Sequence, residues 1–532
     1  MVRSVSCRKR RNDLHFFVSN AHGLRKKIAY TESMSNTAKE IKLFVKGGCV
    51  MYQASFESLK NYQCPDWFRD VKFGIWSHWG PQSVPMCGDW YARNMYIQGT
   101  EQYEYHLRTY GHPSEFGYKD ICALWKAEKF DPDALMEKYY KAGARFFVAQ
   151  ATHHDHFFNF ASQYNHFNSV EVGPGKDICA LWKAASEKWH MPFGLTEHLG
   201  ASFAWWRSNK GADTYGPYKG VPYDGNNPVY RHFYHDNYEH VSAPGEPDRW
   251  VWLTGNRDFR EYWLKVAKEI IDRFQPDLLY SDSSLPFGEG EDPQDEAYRY
   301  GLEAVAHLYN TSEKLHGQNQ AVYTQKNRSE NIYRVGALDI ERSQLEDISP
   351  VPWMSETCIG GWFYDRKAKY KTPRHILDIL VDTVSKNGTL LVNILQRPDG
   401  TIDAEAEWIL KELAGWFAVN GEAVYGSRPW RVAGEGHASV IIDGFREEQV
   451  AWDDDDFRFV QKDGRLYVFV MKSAGRKNTV ITSLREQEKV KSVRLLGHGE
   501  VAFVQRYGTL LVDLPEKMPT EYASVLEISF AE

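Results

Sequence analysis

The sequence holds no stretch approaching about 18 unbroken apolar residues, so it offers no candidate membrane-spanning helix. It has no C-x-x-C pair. Its seven cysteines, at positions 7, 49, 64, 87, 122, 179 and 358, are odd in number and widely spaced. That excludes a disulfide framework and a cysteine zinc site. Free, buried thiols suit a reducing compartment, so the expected location is the cytoplasm. No G-x-G-x-x-G follows an early strand-like run, which weighs against a dinucleotide fold. No H-E-x-x-H is present. Positive charge is not in surplus either: the formal net charge is −7, which argues against a nucleic-acid partner. No membrane partner is expected, and homo-oligomerisation is left open.

What is present is an ordinary globular composition, 42% hydrophobic and 25% charged, over 532 residues. That length suits one large domain and a smaller one. Aromatics reach 14%, with 18 Trp. A large core uses such residues, and so does a sugar-binding cleft. Residues 1–45 are a strongly basic extension, opening "MVRSVSCRKRRNDLHFFVSN". Its apolar run "LHFFV" is too short and broken for a signal-peptide core. The extension is expected to be disordered. The nonamer "KDICALWKA" occurs at 119–127 and again at 176–184. The flanks do not match, so this is a local coincidence and not a repeat unit.

From residue 46 to 428, strand-like runs alternate with helix-period segments. "VKFGIWSHWG", "RFFVAQATHHD", "MPFGLTEHLG", "PDLLYSDSS", "AVYTQKN", "GALDIER" and "TLLVNI" read as seven strands. "DPDALMEKYYKAGA" and "DFREYWLKVAKEIIDRF" are among the helices between them. This alternation predicts a parallel sheet, and at least seven strands close naturally into a (β/α)8-like, TIM-type barrel. Residues 429–532 change texture. Short alternating runs with Gly, Asp and Asn between them, such as "ASVIIDGF" and "KDGRLYVFV", predict a β-sandwich containing a hairpin.

In a parallel barrel the working residues stand at the C-terminal strand ends. Here those ends carry His78, His153-His154-Asp155, Glu197-His198, Asp282, Lys326 with Arg328, and Glu341-Arg342. Neighbours along a strand point to opposite faces, so a metal could recruit only part of the H-H-D-H run. A sugar pocket uses the same groups to bind hydroxyls and covers ring faces with Trp and Phe. Two carboxylates on separate strand ends meet the requirement for glycoside hydrolysis. Asp282 and Glu341 are candidates, with Glu356 of "PWMSETC" a third.

"CPDWFRDVKFGIWSHWGPQSVP", "CGDWYARNMY", "FDPDALMEKYYKAGARFFVAQATHHDHFFNF", "FNSVEVGPGKDI", "PDLLYSDSS" and "VDTVSKNGTLLVNILQRPDGTI" occur in this order. Together they resemble the α-L-fucosidases of glycoside hydrolase family 29 over roughly residues 52–425. The resemblance implies a (β/α)8-like barrel, a C-terminal β-sandwich, and retaining hydrolysis without metal or cofactor. The implied substrate is a fucosylated oligosaccharide or glycoconjugate. Asp282 matches the family nucleophile, and Glu341 is the favoured acid/base with Glu356 the alternative. His78, His153 and His154 match histidines that bind fucose hydroxyls, and Trp90 matches the pocket tryptophan. Asp89 stands where Glu is usual. Glu197 and His198 replace aromatic or hydroxyl groups, and Tyr280 replaces Trp. Arg328 and Trp362 complete the expected substrate-binding set. The departures leave two further readings: an α-L-galactosidase, or a catalytically weak sugar-binding protein. A third reading is a metal-dependent hydrolase using His153, His154 and Asp155.

Overall fold

The computed structural model describes residues 51–238, 251–288, 290–438, 447, 449–472 and 475–531, and the backbone of three N-terminal strands. The chain divides into two units, 1–50 and 51–532. In the first, Val5–Arg10, Asp13–Ser19 and Arg25–Ile28 form an antiparallel sheet. The rest of the basic extension lies outside the described residues.

The second unit is built on a closed parallel barrel. Its strands are β1 (Phe73–Ser77), β2 (Phe146–Gln150), β3 (Phe193–Glu197), β4 (Leu278–Ser281), β5 (Val322–Gln325), β6 (Ala337–Glu341), β7 (Trp353–Cys358) and β8 (Gly388–Asn393). Each strand pairs with the next, and β8 closes on β1. Almost every strand residue is buried, because helices cover the outside and side chains fill the inside. The barrel tolerates little bulk at Gly74. A Cβ there would stand 2.2 Å from the Phe146 ring of the adjacent strand.

Seven of these strands are legible as apolar runs. The eighth, β7, is not, because "WMSETC" places Ser, Glu and Thr inside a strand. Ser355 bonds the Ser343 carbonyl at 3.1 Å, and Glu356 pairs laterally with Glu341 on β6. Tertiary partners, not hydrophobicity, make this segment a strand.

The helices begin where their caps predict. Asp131 accepts from Ala134 N at 3.0 Å to open α1 (Pro132–Lys141). Asp177 opens α2 (Ile178–Lys188), Asn256 opens α3 (Arg257–Phe274) and Thr372 opens α4 (Pro373–Ser385). Beyond the barrel, Arg428–Glu435, Phe457–Lys462, Arg465–Val470, Ser524–Phe530, Val490–Leu495 and Gly499–Glu500 form a six-stranded antiparallel sheet. Asn478–Ile481, Thr509–Asp513 and Phe503–Arg506 form a second, three-stranded one. Phe457, Phe459, Val468 and Ile528 belong to the core of this β-sandwich. The expected hairpin turns at Asp463 (φ 49°) and Gly464 (φ 73°), the paired left-handed residues of a type I′ turn. Most of "ASVIIDGF" lies outside the described residues. Among the described residues no helix is long and apolar enough to cross a membrane.

Candidate active site

The barrel strands deliver their terminal residues to a cavity of about 410 Å³ at the C-terminal rim. Asp282 follows β4, and its amide is held by the Glu197 carbonyl at 3.2 Å. Its carboxylate is ringed by donors from three strands. Lys326, directly after β5, places Nζ 2.7 Å from Asp282 Oδ1. The Tyr280 hydroxyl, one turn of the pleat below, donates to the same oxygen at 3.0 Å. His154 Nε2 lies 3.1 Å from Oδ2. Burial alone would push this carboxyl up, but Lys326 and His154 hold it well below the usual carboxylate range. Asp282 is therefore ionised at neutral pH.

Two further carboxyl groups share these donors. Lys326 Nζ is 3.1 Å from Glu356 Oε1 and also pairs with Glu341 Oε2. Tyr280 OH contacts Glu356 Oε1 at 2.9 Å. Oxygens that touch one ammonium cannot stand as far apart as an inverting pair, which needs about 6.5–9.5 Å; they fit the about 5–5.5 Å of a retaining pair. The two glutamates differ in access. The Glu341 side chain is 17% exposed and Glu356 is 0% exposed. Burial pushes the Glu356 carboxyl up to about 7.

The opposite wall is imidazole and indole. His78 is set by Asn393 at the end of β8, whose Oδ1 accepts from the His78 amide at 3.0 Å. The Asn393 amide nitrogen donates to the carbonyls of Gly361 (3.0 Å) and Trp362 (2.8 Å), tying the Trp362 loop to the same corner. Gln82 Nε2 donates to His153 Nδ1 at 2.8 Å, an orientation set by Ala92 N on Gln82 Oε1 (3.3 Å). His153 Nε2 thus carries its proton. Burial lowers His78 and His153 well below the usual histidine range, and His198 to about 3. The three rings are neutral, so each offers one donor and one acceptor, the complement of a hydroxyl. The Nδ1 atoms of His78 and His198 are buried without a protein partner. One ring nitrogen from each of His78, His153 and His198 lies within 4.8 Å of the others, a set that could hold a cation as well as hydroxyls. Trp252 stacks near Trp90, with centroids 6.2 Å apart, and Trp362 leans on His78 at 5.6 Å. Asp89 lines the mouth. Burial pushes its carboxyl up to about 7.

Eleven of the thirteen residues expected from sequence line the cavity: His78, Asp89, Trp90, His153, His154 and His198, then Tyr280, Asp282, Glu341, Glu356 and Trp362. Two do not. Arg328 is exposed, because it lies three residues beyond the end of β5. Lys326, the first residue past that strand, occupies the rim instead. Glu197, the last residue of β3, turns into the barrel wall. Trp263 Nε1 donates to its carboxylate at 2.9 Å and Leu199 N at 3.1 Å. The H-H-D-H run also divides. Strand β2 ends at Gln150, so alternation no longer governs residues 153 and 154, and both face the cavity. Asp155 instead accepts from Tyr118 OH at 2.5 Å, and His156 bonds Phe233 O and Tyr262 OH. Asp155 therefore cannot serve with His153 and His154 as the expected ligand set. Trp76, Trp252 and Ser283 also line the cavity. No local signal in the sequence marked Trp76 or Trp252; Ser283 stands where the resembled family has Gly after the nucleophile.

Paired carboxyl groups this close on the C-terminal rim of a parallel barrel meet the requirement of a retaining glycoside hydrolase. A family profile described as Alpha-L-fucosidase matches residues 46–422; the chain belongs to that family. The tissue alpha-L-fucosidase of Rattus norvegicus is 28% identical over 399 residues, 73% of this chain and 76% of the relative. The plasma alpha-L-fucosidase of Pongo abelii is 25% identical over 495 residues, 90% and 93% of the two chains. Among solved structures, the Thermotoga maritima alpha-fucosidase in complex with fucose matches with a TM-score of 0.69 at 23% identity. The match covers 90% of this chain and 100% of that one. That likeness is one of fold, a barrel followed by a β-sandwich as the sequence predicts.

Proposed function

We propose that this protein is an exo-acting, retaining α-L-fucosidase that removes terminal α-L-fucose from oligosaccharides or glycoconjugates. The observation that carries the reading is the ionised Asp282, sharing one ammonium with a second carboxyl group, a separation too short for an inverting pair. Asp282 attacks the anomeric carbon while Glu341 protonates the departing oxygen. Water, deprotonated by Glu341, then attacks the glycosyl ester and frees Asp282. Glu341 takes this role because its partly exposed carboxyl can meet both the leaving oxygen and water. Glu356, although it borders the cavity, exposes none of its side chain and is bonded to Tyr280 OH. The neutral His78 and His153 bind sugar hydroxyls, and the indoles cover the apolar faces of the ring.

The test is Asp282→Gly assayed on an aryl α-L-fucoside. Turnover should fall by several orders of magnitude, and azide should partly restore it as β-fucosyl azide. Near-normal turnover would remove Asp282 from the role. Running an aryl α-L-galactoside beside it decides the second reading, in which the cavity-lining His198 ring binds a hydroxyl that fucose lacks. Activity that vanishes on dialysis against a chelator and returns with a divalent metal would transfer the reaction to the imidazole cluster.

A further inference from the structure

We propose that Lys326 is a positioning residue that carries the reaction's negative charge from the nucleophile to the acid/base. This rests on the retaining mechanism above. Its ammonium, from β5, contacts Asp282 from β4, Glu341 from β6 and Glu356 from β7 at once.

The bookkeeping of the first step explains why such a bridge is useful. A bond forms between an Asp282 oxygen and the anomeric carbon, and the bond from that carbon to the leaving oxygen breaks. The Glu341 proton goes to the leaving oxygen. Asp282 begins as an anion and ends as a neutral ester. Glu341 begins neutral and ends as an anion. One negative charge has therefore moved between two oxygens. Both touch the same ammonium, so the charge keeps its counter-ion throughout. The second step reverses the transfer: water supplies the oxygen, Glu341 takes its proton, and the ester bond breaks to regenerate the Asp282 anion. A fixed cation that serves both end states needs no rearrangement during the reaction, which is the basis of electrostatic preorganisation.

Lys326 is well placed to be fixed. Burial alone would lower its ammonium, but the surrounding carboxylates, Asp282 first, hold it well above the usual lysine range. It therefore stays charged at neutral pH. Arg328 cannot substitute, since it is exposed on the following loop. The other groups around Asp282 cannot do the same work. His198 is neutral, and Tyr280 is uncharged with its hydroxyl pushed well above its usual range. Of the three carboxyl groups, His154 pairs with Asp282 only; its Nδ1 is taken by the His198 carbonyl. Asp89, Glu341, Glu356 and the more deeply buried Asp339 are acids, so none can replace a cation.

The test is Lys326→Gln beside Lys326→Arg in the full chain, each checked for folding by thermal unfolding. With the ammonium gone, Asp282 is harder to ionise. The acidic limb of the kcat/KM profile should move to higher pH, and kcat should fall by about 10²-fold. Lys326→Arg should return the limb towards its original position. Pre-steady-state bursts should reveal that glycosylation and deglycosylation are both slowed in Lys326→Gln. A folded Lys326→Gln whose acidic limb stays in place overturns the proposal. Slowing of glycosylation alone also overturns it, because the charge then has no need of Lys326 at Glu341. Either outcome leaves the Asp282 test unaffected, so the two readings fail separately.

Discussion

Asp282, Glu341 and Glu356 are three carboxylates within reach of one cation, and chemistry has to tell them apart. Loss of the acid should hurt substrates with basic leaving groups far more than activated aryl fucosides, because protonation matters most when the leaving group is basic. Glu341→Ala should display that pattern. If Glu356→Ala displays it instead, the buried carboxyl is the acid. A different outcome is expected one strand away. Glu197 is a buried carboxylate that anchors Trp263 and the Leu199 amide. Glu197→Ala should cost about 1–3 kcal/mol of stability by leaving those donors unpaired. It should leave the ratio of fucoside to galactoside cleavage unchanged. His198→Ala, which removes a cavity-lining ring, should alter that ratio if the pocket reads a hydroxyl at this position. A denaturant titration of the first variant and paired initial rates for both are the measurements.

At the level of elements, close approach within the barrel is the strictest demand. Gly74→Ala would drive a methyl group into the Phe146 ring. Since the ring is itself enclosed, overpacking should destabilise the fold by about 1–3 kcal/mol. An unchanged denaturation midpoint would mean that β1 and β2 can part without penalty. Elements also expose where local sequence runs out. The nonamer "KDICALWKA" is the same at 119–127 and at 176–184, yet its two copies fold differently. In the first, Asp120 lies inside the helix Tyr118–Leu124 and caps the amide of Gly117 at 2.8 Å. The chain then turns extended at Trp125 (ψ 117°). In the second, Asp177 is itself the N-cap and α2 runs on to Lys188. Identical residues accept either arrangement, and the neighbours decide.

Over the whole molecule, buried carboxyls give stability an unusual slope with pH. Asp378 on α4 lies well away from the active-site cavity, and burial pushes its carboxyl up to about 7. Unfolded, the same group titrates near 3.9. Its contribution is complete below the unfolded value, declines between the two values as the folded state alone keeps the proton, and is gone above about pH 7. Asp155 and Asp224, each pushed up to about 6 by burial, act in the same direction. Buried neutral histidines, His78, His153, His156 and His198 among them, act in the opposite sense, so Asp378 is isolated by difference: relative to Asp378→Asn, the urea midpoint of the unaltered protein should fall between pH 5 and pH 7.5. A difference between the two proteins that stays constant or rises over this range would contradict the buried, protonated state.

Much of this protein is decided by the sequence alone. Strands buried on both faces must be continuous apolar runs, and capping residues must precede helices, so seven barrel strands and their helices can be read in order. The hairpin at Asp463-Gly464 follows from the left-handed conformations those residues accept. Polar residues at or just after a strand end emerge at the rim, which is why His78, His153, His154, His198, Asp282 and Glu341 could be named from the pattern, whereas Asp89, Trp90, Tyr280 and Trp362 came from the family resemblance. Tertiary structure decided the rest. Strand β7 exists because its backbone pairs with β6 and β8 while Ser355 and Glu356 find partners at Ser343, Tyr280 and Lys326. Whether a strand-end residue enters the cavity depends on where the strand stops: Gln150 ends β2 early enough for both His153 and His154 to face it. Glu197, still inside β3, is claimed by Trp263. Lys326 prevails over Arg328 by two residues of loop. Periodicity fixes which face a residue occupies within an element. It says nothing about the last turn of chain, and there contacts between strands distant in sequence choose which side chain meets the substrate.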